Sequence, residues 1–122
     1  MSFDPRPFAE HYRAENAAEL QEISERAAEA HIEARRLAAS ILKADPNVRS
    51  VILFGSLAEG GPRRRKFDID LALNGGDLYK ALDVTEESPF DVDVVRLDLL
   101  PNHLRARIQA RGIVLASIPG RK

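Results

Sequence analysis

Residues 54–73 read FGSLAEGGPRRRKFDIDLAL. An apolar run ends at Gly55-Ser56, a basic segment follows, and two aspartates then stand one residue apart in an otherwise apolar alternation. Read as a strand, Phe67, Ile69, Leu71 and Leu73 share one face, and Asp68, Asp70 and Ala72 share the other. The two carboxylates then project side by side, with their Cα atoms roughly 6–7 Å apart. Carboxylates held so close repel each other. Either one keeps a proton or a cation sits between them.

Upstream of this stretch, Val48, Val51, Ile52, Leu53 and Phe54 form a β-branched and aromatic run that reads as a buried strand. Gly55 ends it, and Leu57 and Ala58 begin a short helical turn that Gly60, Gly61 and Pro62 stop. Downstream, Asn74-Gly75-Gly76 is a turn, and a helix is expected over 77–85. Ser88-Pro89 leads into a strand from Phe90 to Arg96. Residues 99–111 read as a helix with Leu100, Leu104, Ile108 and Arg111 along one face, Gly112 suits its C-terminal cap, and Ile113–Leu115 is a short strand.

The segment before all of this is different in kind. Residues 8–44 contain no Gly or Pro and are rich in Ala, Glu, Arg and Leu, a composition that favours helix. Asp4-Pro5 offers a cap and a first-turn proline. Pro46 ends the helix near Ala44, because the residue before a proline avoids helical backbone. At 1.5 Å per residue the helix is on the order of 50 Å long. Leu20, Ile23, Ala27, Ala30, Ala34, Leu37 and Ile41 alternate spacings of three and four, a heptad seam. That seam suits packing on the rest of the domain or on the chain's own C-terminal helix, and equally suits a second chain. The element order predicts an α/β (α+β) fold, a small mixed sheet covered by helices. Residues 1–45 form a long N-terminal helix for packing or oligomerisation, 46–118 the domain proper, and 119–122 a frayed tail.

The strand from Phe90 repeats the acidic device at Asp91 and Asp93. If it pairs beside the Asp68–Asp70 strand, one of these makes a third carboxylate. Convergent carboxylates without a nearby His or Cys suit a hard, oxygen-preferring ion such as Mg²⁺. Such ions bridge substrate phosphates and favour in-line displacement at phosphorus. Gly55-Ser56, at a strand end before a helical turn, presents backbone N–H groups and a hydroxyl to an anion. Arg63, Arg64, Arg65 and Lys66 lie between the two and could steer or clamp a triphosphate.

The chain has 122 residues, 44% hydrophobic and 30% charged, with a net charge of −1 and no cysteine. That fits one globular domain, excludes disulfides and thiolate metal sites, and argues against a partner that is a long nucleic acid. No apolar run nears the roughly 20 residues of a membrane span, and the charged N-terminus does not read as a secretory signal. These features point to a cytoplasmic protein. His11, His31 and His103 have no metal-ligand spacing, and nothing singles out Tyr12 or Tyr79.

LFGS at 53–56, DID at 68–70 and VDVV at 92–95, in that order, resemble the DNA polymerase β-type nucleotidyltransferase superfamily in its minimal (MNT) branch. The resemblance spans about residues 35–116 and implies a nucleotidyltransferase palm-like fold. It implies that Gly55 and Ser56 hold the β- and γ-phosphates of a nucleoside triphosphate, with Arg63, Arg64 and Arg65 close by. It implies that Asp68 and Asp70 bind two Mg²⁺ ions, and that Asp93, flanked as the family's third acid is, binds the catalytic metal and helps deprotonate the acceptor hydroxyl. The implied reaction is transfer of a nucleoside monophosphate, AMP from ATP, to a hydroxyl. In relatives of this size the implied acceptor is a partner protein, a HEPN-type toxin whose antitoxin the MNT protein is. The short chain leaves little room to grip base and acceptor, so a partner or a second copy, meeting the N-terminal helix, is expected to complete the pocket. This chain departs from the pattern in three places: eleven residues rather than ten separate Ser56 from Asp68, Glu59 stands where relatives often have Arg, and Phe67 where they often have Ser. An inactive MNT-like antitoxin acting by binding alone is the alternative. A carboxylate-cluster nuclease would make no particular use of Gly55-Ser56.

Overall fold

The computed structural model describes residues 6–120, with only the backbone at positions 7, 8 and 10–12. The Asp4-Pro5 cap, the last two tail residues and the side chains of His11 and Tyr12 lie outside the described residues. The elements run α1 (Arg6–Ala44), β1 (Ser50–Phe54), β2 (Ile69–Asn74), α2 (Leu78–Thr85), β3 (Val92–Arg96), a 3-10 turn (Leu97–Leu99), α3 (Asn102–Arg111) and β4 (Ile113–Ser117). The four strands form one mixed sheet in the order β3-β2-β1-β4. β1 pairs antiparallel with β2 and β4, while β2 and β3 run parallel. None of the described helices is long and apolar enough to cross a membrane.

The alternation in β2 assigns the faces. Ile69, Leu71 and Leu73 join Val51 and Leu53 in the main core, against Ala30, Ala34, Leu37 and Ile41 of α1 and Ala81 of α2. Ile52 and Ala72 point the other way and are covered by Leu97 and Ile108. The small alanines let α1 approach the sheet closely, so the C-terminal half of the seam packs on its own domain. The seam then runs off the core: Ile23 is buried, but Leu20 is 62% exposed, and residues 13–22 are exposed throughout. α1 lies against α2, β4 and β1, and the expected packing on the C-terminal helix gives way to these neighbours.

Several boundaries differ from expectation. β2 begins at Ile69, so Phe67 and Asp68 precede it, and β3 begins at Val92. The helix expected over 99–111 is interrupted at Pro101, whose ring removes an N–H: a 3-10 turn precedes it and α3 starts after it. On α3, Ile108 is buried and Leu104 and Arg111 are exposed, because the helix rests on the sheet mainly through its C-terminal half. Gly112 has φ −72°, which is not a left-handed cap. Glycine is needed there for space, since a Cβ would lie 2.5 Å from Ile108 O and from Ile52 Cγ2.

Pro46 does end α1 at Ala44, and the next residue carries a structural role that the spacing did not suggest. Asp45 is 1% exposed. Its carboxylate accepts hydrogen bonds from the backbone N–H of Asn47 (3.0 Å) and of Asp77 (2.8 Å). Asp77 in turn caps α2, accepting from Tyr79 N at 2.9 Å. One buried carboxylate thus ties the end of α1 to the start of α2.

Candidate functional site

The sheet register gathers the acids. Asp70 of β2 lies opposite Asp93 of β3, and Phe54, the last residue of β1, lies opposite Asp70. Residues opposite each other in a ladder share a face, so Phe54, Asp70 and Asp93 form a row across one end of the sheet. Asp68 approaches from the loop just before β2. One carboxylate oxygen from each of Asp68, Asp70 and Asp93 lies within 4.8 Å of the others. Asp91 stays apart: its backbone carbonyl accepts from Ile69 N at 2.8 Å, and its exposed side chain is not in the cluster. Asp68 and Asp70 were expected side by side on one strand, with the third acid from another; Asp68 instead precedes β2, so the three meet from two strands and a loop.

Burial raises the Asp70 pKa from the ordinary carboxylate range to about 6, with the Asp93 and Asp68 charges adding to the effect. A divalent cation would relieve both causes at once. The donors are all carboxylate oxygens, with neither imidazole nor thiolate, which fits Mg²⁺ or Mn²⁺.

Gly55 is required here sterically. It has φ +76°, and a Cβ on it would collide with Asp70 Oδ2. The chain then makes a single tight turn, with Ala58 N and Glu59 N both donating to Gly55 O at 3.1 and 3.0 Å. Ser56 is exposed at its start. A polar cleft of about 440 Å³ opens between this turn and the basic loop, and Ser56, Arg63, Arg64, Lys66, Asp68 and Asp70 line it.

Arg65 goes elsewhere. Its Nε lies 3.3 Å from Glu22 Oε2 and 3.8 Å from Glu19 Oε1, on α1, so it fastens the loop to the long helix instead of facing the cleft. Glu59, the acid in the turn, lines the cleft but is paired with α3. Arg107 Nη2 donates to its Oε1 at 3.1 Å, and Arg111 Nη1 lies 3.5 Å from it. The Arg107 hydrogen bond is the leading cause of its lowered pKa. Phe67 packs against Phe90, ring centroids 6.5 Å apart, with the Arg26 guanidinium 4.7 Å above the Phe90 ring. These partners, separated widely along the chain, leave no periodic trace for a reading of the sequence to find.

A family description, polymerase beta, nucleotidyltransferase, matches residues 38–119. No curated protein matches the chain. Among solved structures, a crystal structure of a toxin–antitoxin with AMP-PNP is similar in fold, with TM-score 0.57 and 24% identity over 70% of this chain and 74% of that one. The toxin–antitoxin MntA–HpeT, solved as a mutant, is similar as well, with TM-score 0.53 and 21% identity over 66% of this chain and 70% of that one.

Proposed function

The chain belongs to the polymerase β nucleotidyltransferase family, and from that premise we propose that it transfers a nucleoside monophosphate, AMP from ATP, to a hydroxyl on a partner protein of the HEPN toxin type. The observation that carries this reading is the meeting of Asp68, Asp70 and Asp93 within 4.8 Å beside the Gly55-Ser56 turn.

In this reading Ser56 and the turn it opens hold the terminal phosphates, while Arg63 and Arg64 draw the anion into the cleft that they line. Asp68, Asp70 and Asp93 would hold two Mg²⁺ ions, which supply charge neutralisation at the phosphates. Asp93 accepts the proton of the acceptor hydroxyl. The acceptor oxygen bonds to the α-phosphorus, the bond from that phosphorus to the bridging oxygen breaks, and pyrophosphate leaves. Gly55 keeps the space in which Asp70 stands. The similar toxin–antitoxin structure with AMP-PNP, an ATP analogue, supports both the nucleotide and a toxin as partner, and the exposed stretch 13–22 of α1 supplies a surface for that partner or a second copy.

A second reading, neutralisation by contact alone, is favoured by Arg65, which is engaged with α1. Incubation with α-labelled ATP, Mg²⁺ and the product of the neighbouring reading frame separates the two. Labelled partner that disappears with Asp68→Ala or Asp70→Ala supports transfer. Label that persists in both variants refutes these roles, and neutralisation without label favours the second reading.

A further inference from the structure

A second cavity, of about 270 Å³, lies between the sheet and α3, and its walls are Phe54, Val95, Leu100, Leu104 and Ile108. It backs directly onto the acid row. Phe54 is the residue opposite Asp70, and Val95 lies two residues along β3 from Asp93, on the same face. Two residues join it to the rest of the site. Gly55 lines it and, lacking a Cβ, leaves the space in which Asp70 stands. Glu59 lines both this cavity and the polar cleft.

We propose that this apolar slot receives the base of the nucleotide whose phosphates occupy the cleft, an inference that rests on the nucleotidyl-transfer reading. The two cavities divide the chemistry of a nucleotide between them. The cleft sets Arg63, Arg64 and Lys66 beside the carboxylates of Asp68, Asp70 and Glu59, a lining suited to a polyphosphate with its cations. The slot is almost wholly apolar, suited to a flat ring held between a strand surface and a helix. The carboxylates stand at the junction, where the α-phosphate connects the two halves of the ligand. The Glu59–Arg107 pair, partly exposed at the mouth of the slot, gives it a polar edge for the heteroatoms of the ring. Glu59 therefore acts as a wall shared by slot and cleft, and its ion pair holds Arg107 at the slot. A protein side chain is the weaker fit, because its polar backbone would have to follow it towards an apolar recess.

The test compares ATP with inorganic tripolyphosphate by calorimetry, both with Mg²⁺, on the wild-type protein and on Leu104→Trp. Leu104 is 41% exposed, so the variant fills the slot from its outer wall without disturbing the core. Leu100→Trp fills it from another side. Wild type is expected to bind ATP at least tenfold more tightly than tripolyphosphate. Either tryptophan is expected to remove most of that preference while leaving tripolyphosphate affinity within about twofold, which also shows that the fold is intact. ATP binding no tighter than tripolyphosphate, or a preference that survives both variants, overturns the inference alone. Full ATP binding with lost transfer overturns it too and assigns the slot to the acceptor. Wild type that binds neither ligand takes the nucleotidyl-transfer reading down with it.

Discussion

The two ends of the β1–β2 hairpin each hold a carboxylate and a left-handed glycine, and use them in opposite ways. At one end, Asp45 is buried and receives two backbone N–H groups, and Gly76, at φ +86°, gives it room. At the other, Asp70 faces Asp93 and Asp68, burial lifts its pKa to about 6, and Gly55, at φ +76°, lets it stand there. A carboxylate supplied with donors stabilises the fold, whereas one set among other carboxylates strains it unless a proton or a cation relieves the repulsion. One kind of residue thus serves as a fastener at one end and is proposed as a binding group at the other, and the local donors make the difference.

Substitutions test that contrast. The largest effect is expected from Asp45→Ala, which leaves the N–H groups of Asn47 and Asp77 without their acceptor and should cost about 2–4 kcal/mol in urea unfolding. Mn²⁺ binding measured on the folded fraction should stay within twofold of wild type; a loss of tenfold would mean that the two ends are coupled. Gly55→Ala forces a methyl group into Asp70 and strains the backbone. It should weaken Mn²⁺ binding at least tenfold and destabilise the fold by about 1–3 kcal/mol. Gly76→Ala, whose Cβ meets Val48 Cγ2 and Asp45 Oδ2, should show a similar stability loss with metal affinity retained.

A smaller effect of opposite sign is expected from Asp70→Asn. The shift of its carboxyl, reduced because solvent screens a half-exposed group, corresponds to on the order of 1 kcal/mol of strain in the metal-free protein. Removing the charge should raise Tm by about 4 °C in EDTA, while Mn²⁺ binding is lost. A variant that melts lower than wild type would show that the Asp70 carboxylate is satisfied after all.

The smallest effect is the pH dependence of that difference. The folded pKa of Asp70 lies above its unfolded value. The neutral carboxyl therefore costs nothing below pH 4, and stability is lost as pH rises from about 4 through 6. Wild type and Asp70→Asn should have similar stability at pH 4 and should diverge by pH 7. Mg²⁺ should close the gap for wild type alone, and to a lesser extent at pH 5, where protons compete for Asp70.

Much of this was legible because it is local. The period-two alternation of 67–73 identified β2 and both of its faces, Pro46 marked the end of α1, and likeness to the family's valine-flanked third acid favoured Asp93 over Asp91, the one of the two that joins the cluster. That β3 lies beside β2 was only a condition in the sequence reading, and the parallel register that sets Asp93 opposite Asp70 came from the structure. What stayed hidden depends on contacts between distant segments. Asp45 reads as a helix-end residue until Asp77 is brought beside it. Arg65 reads as one of four equivalent cations until Glu19 and Glu22 claim it. Glu59 reads as a misplaced charge until α3 supplies Arg107. Asp68 was placed in the strand because alternation begins before hydrogen bonding does, and no composition signal marks that difference.

The parallel pairing of β2 with β3 carries a further demand. Because the two strands point the same way, the chain must travel back along the sheet through α2 before β3 begins, and the inward set of Val92 and Val94 fixes which β3 residue halts beside Asp70. A slip of one residue would present Val92 or Val94 there and turn Asp93 into the apolar layer. The same two valines therefore guard the architecture and the chemistry together: a shift of β3 should cost stability as well as silence the protein.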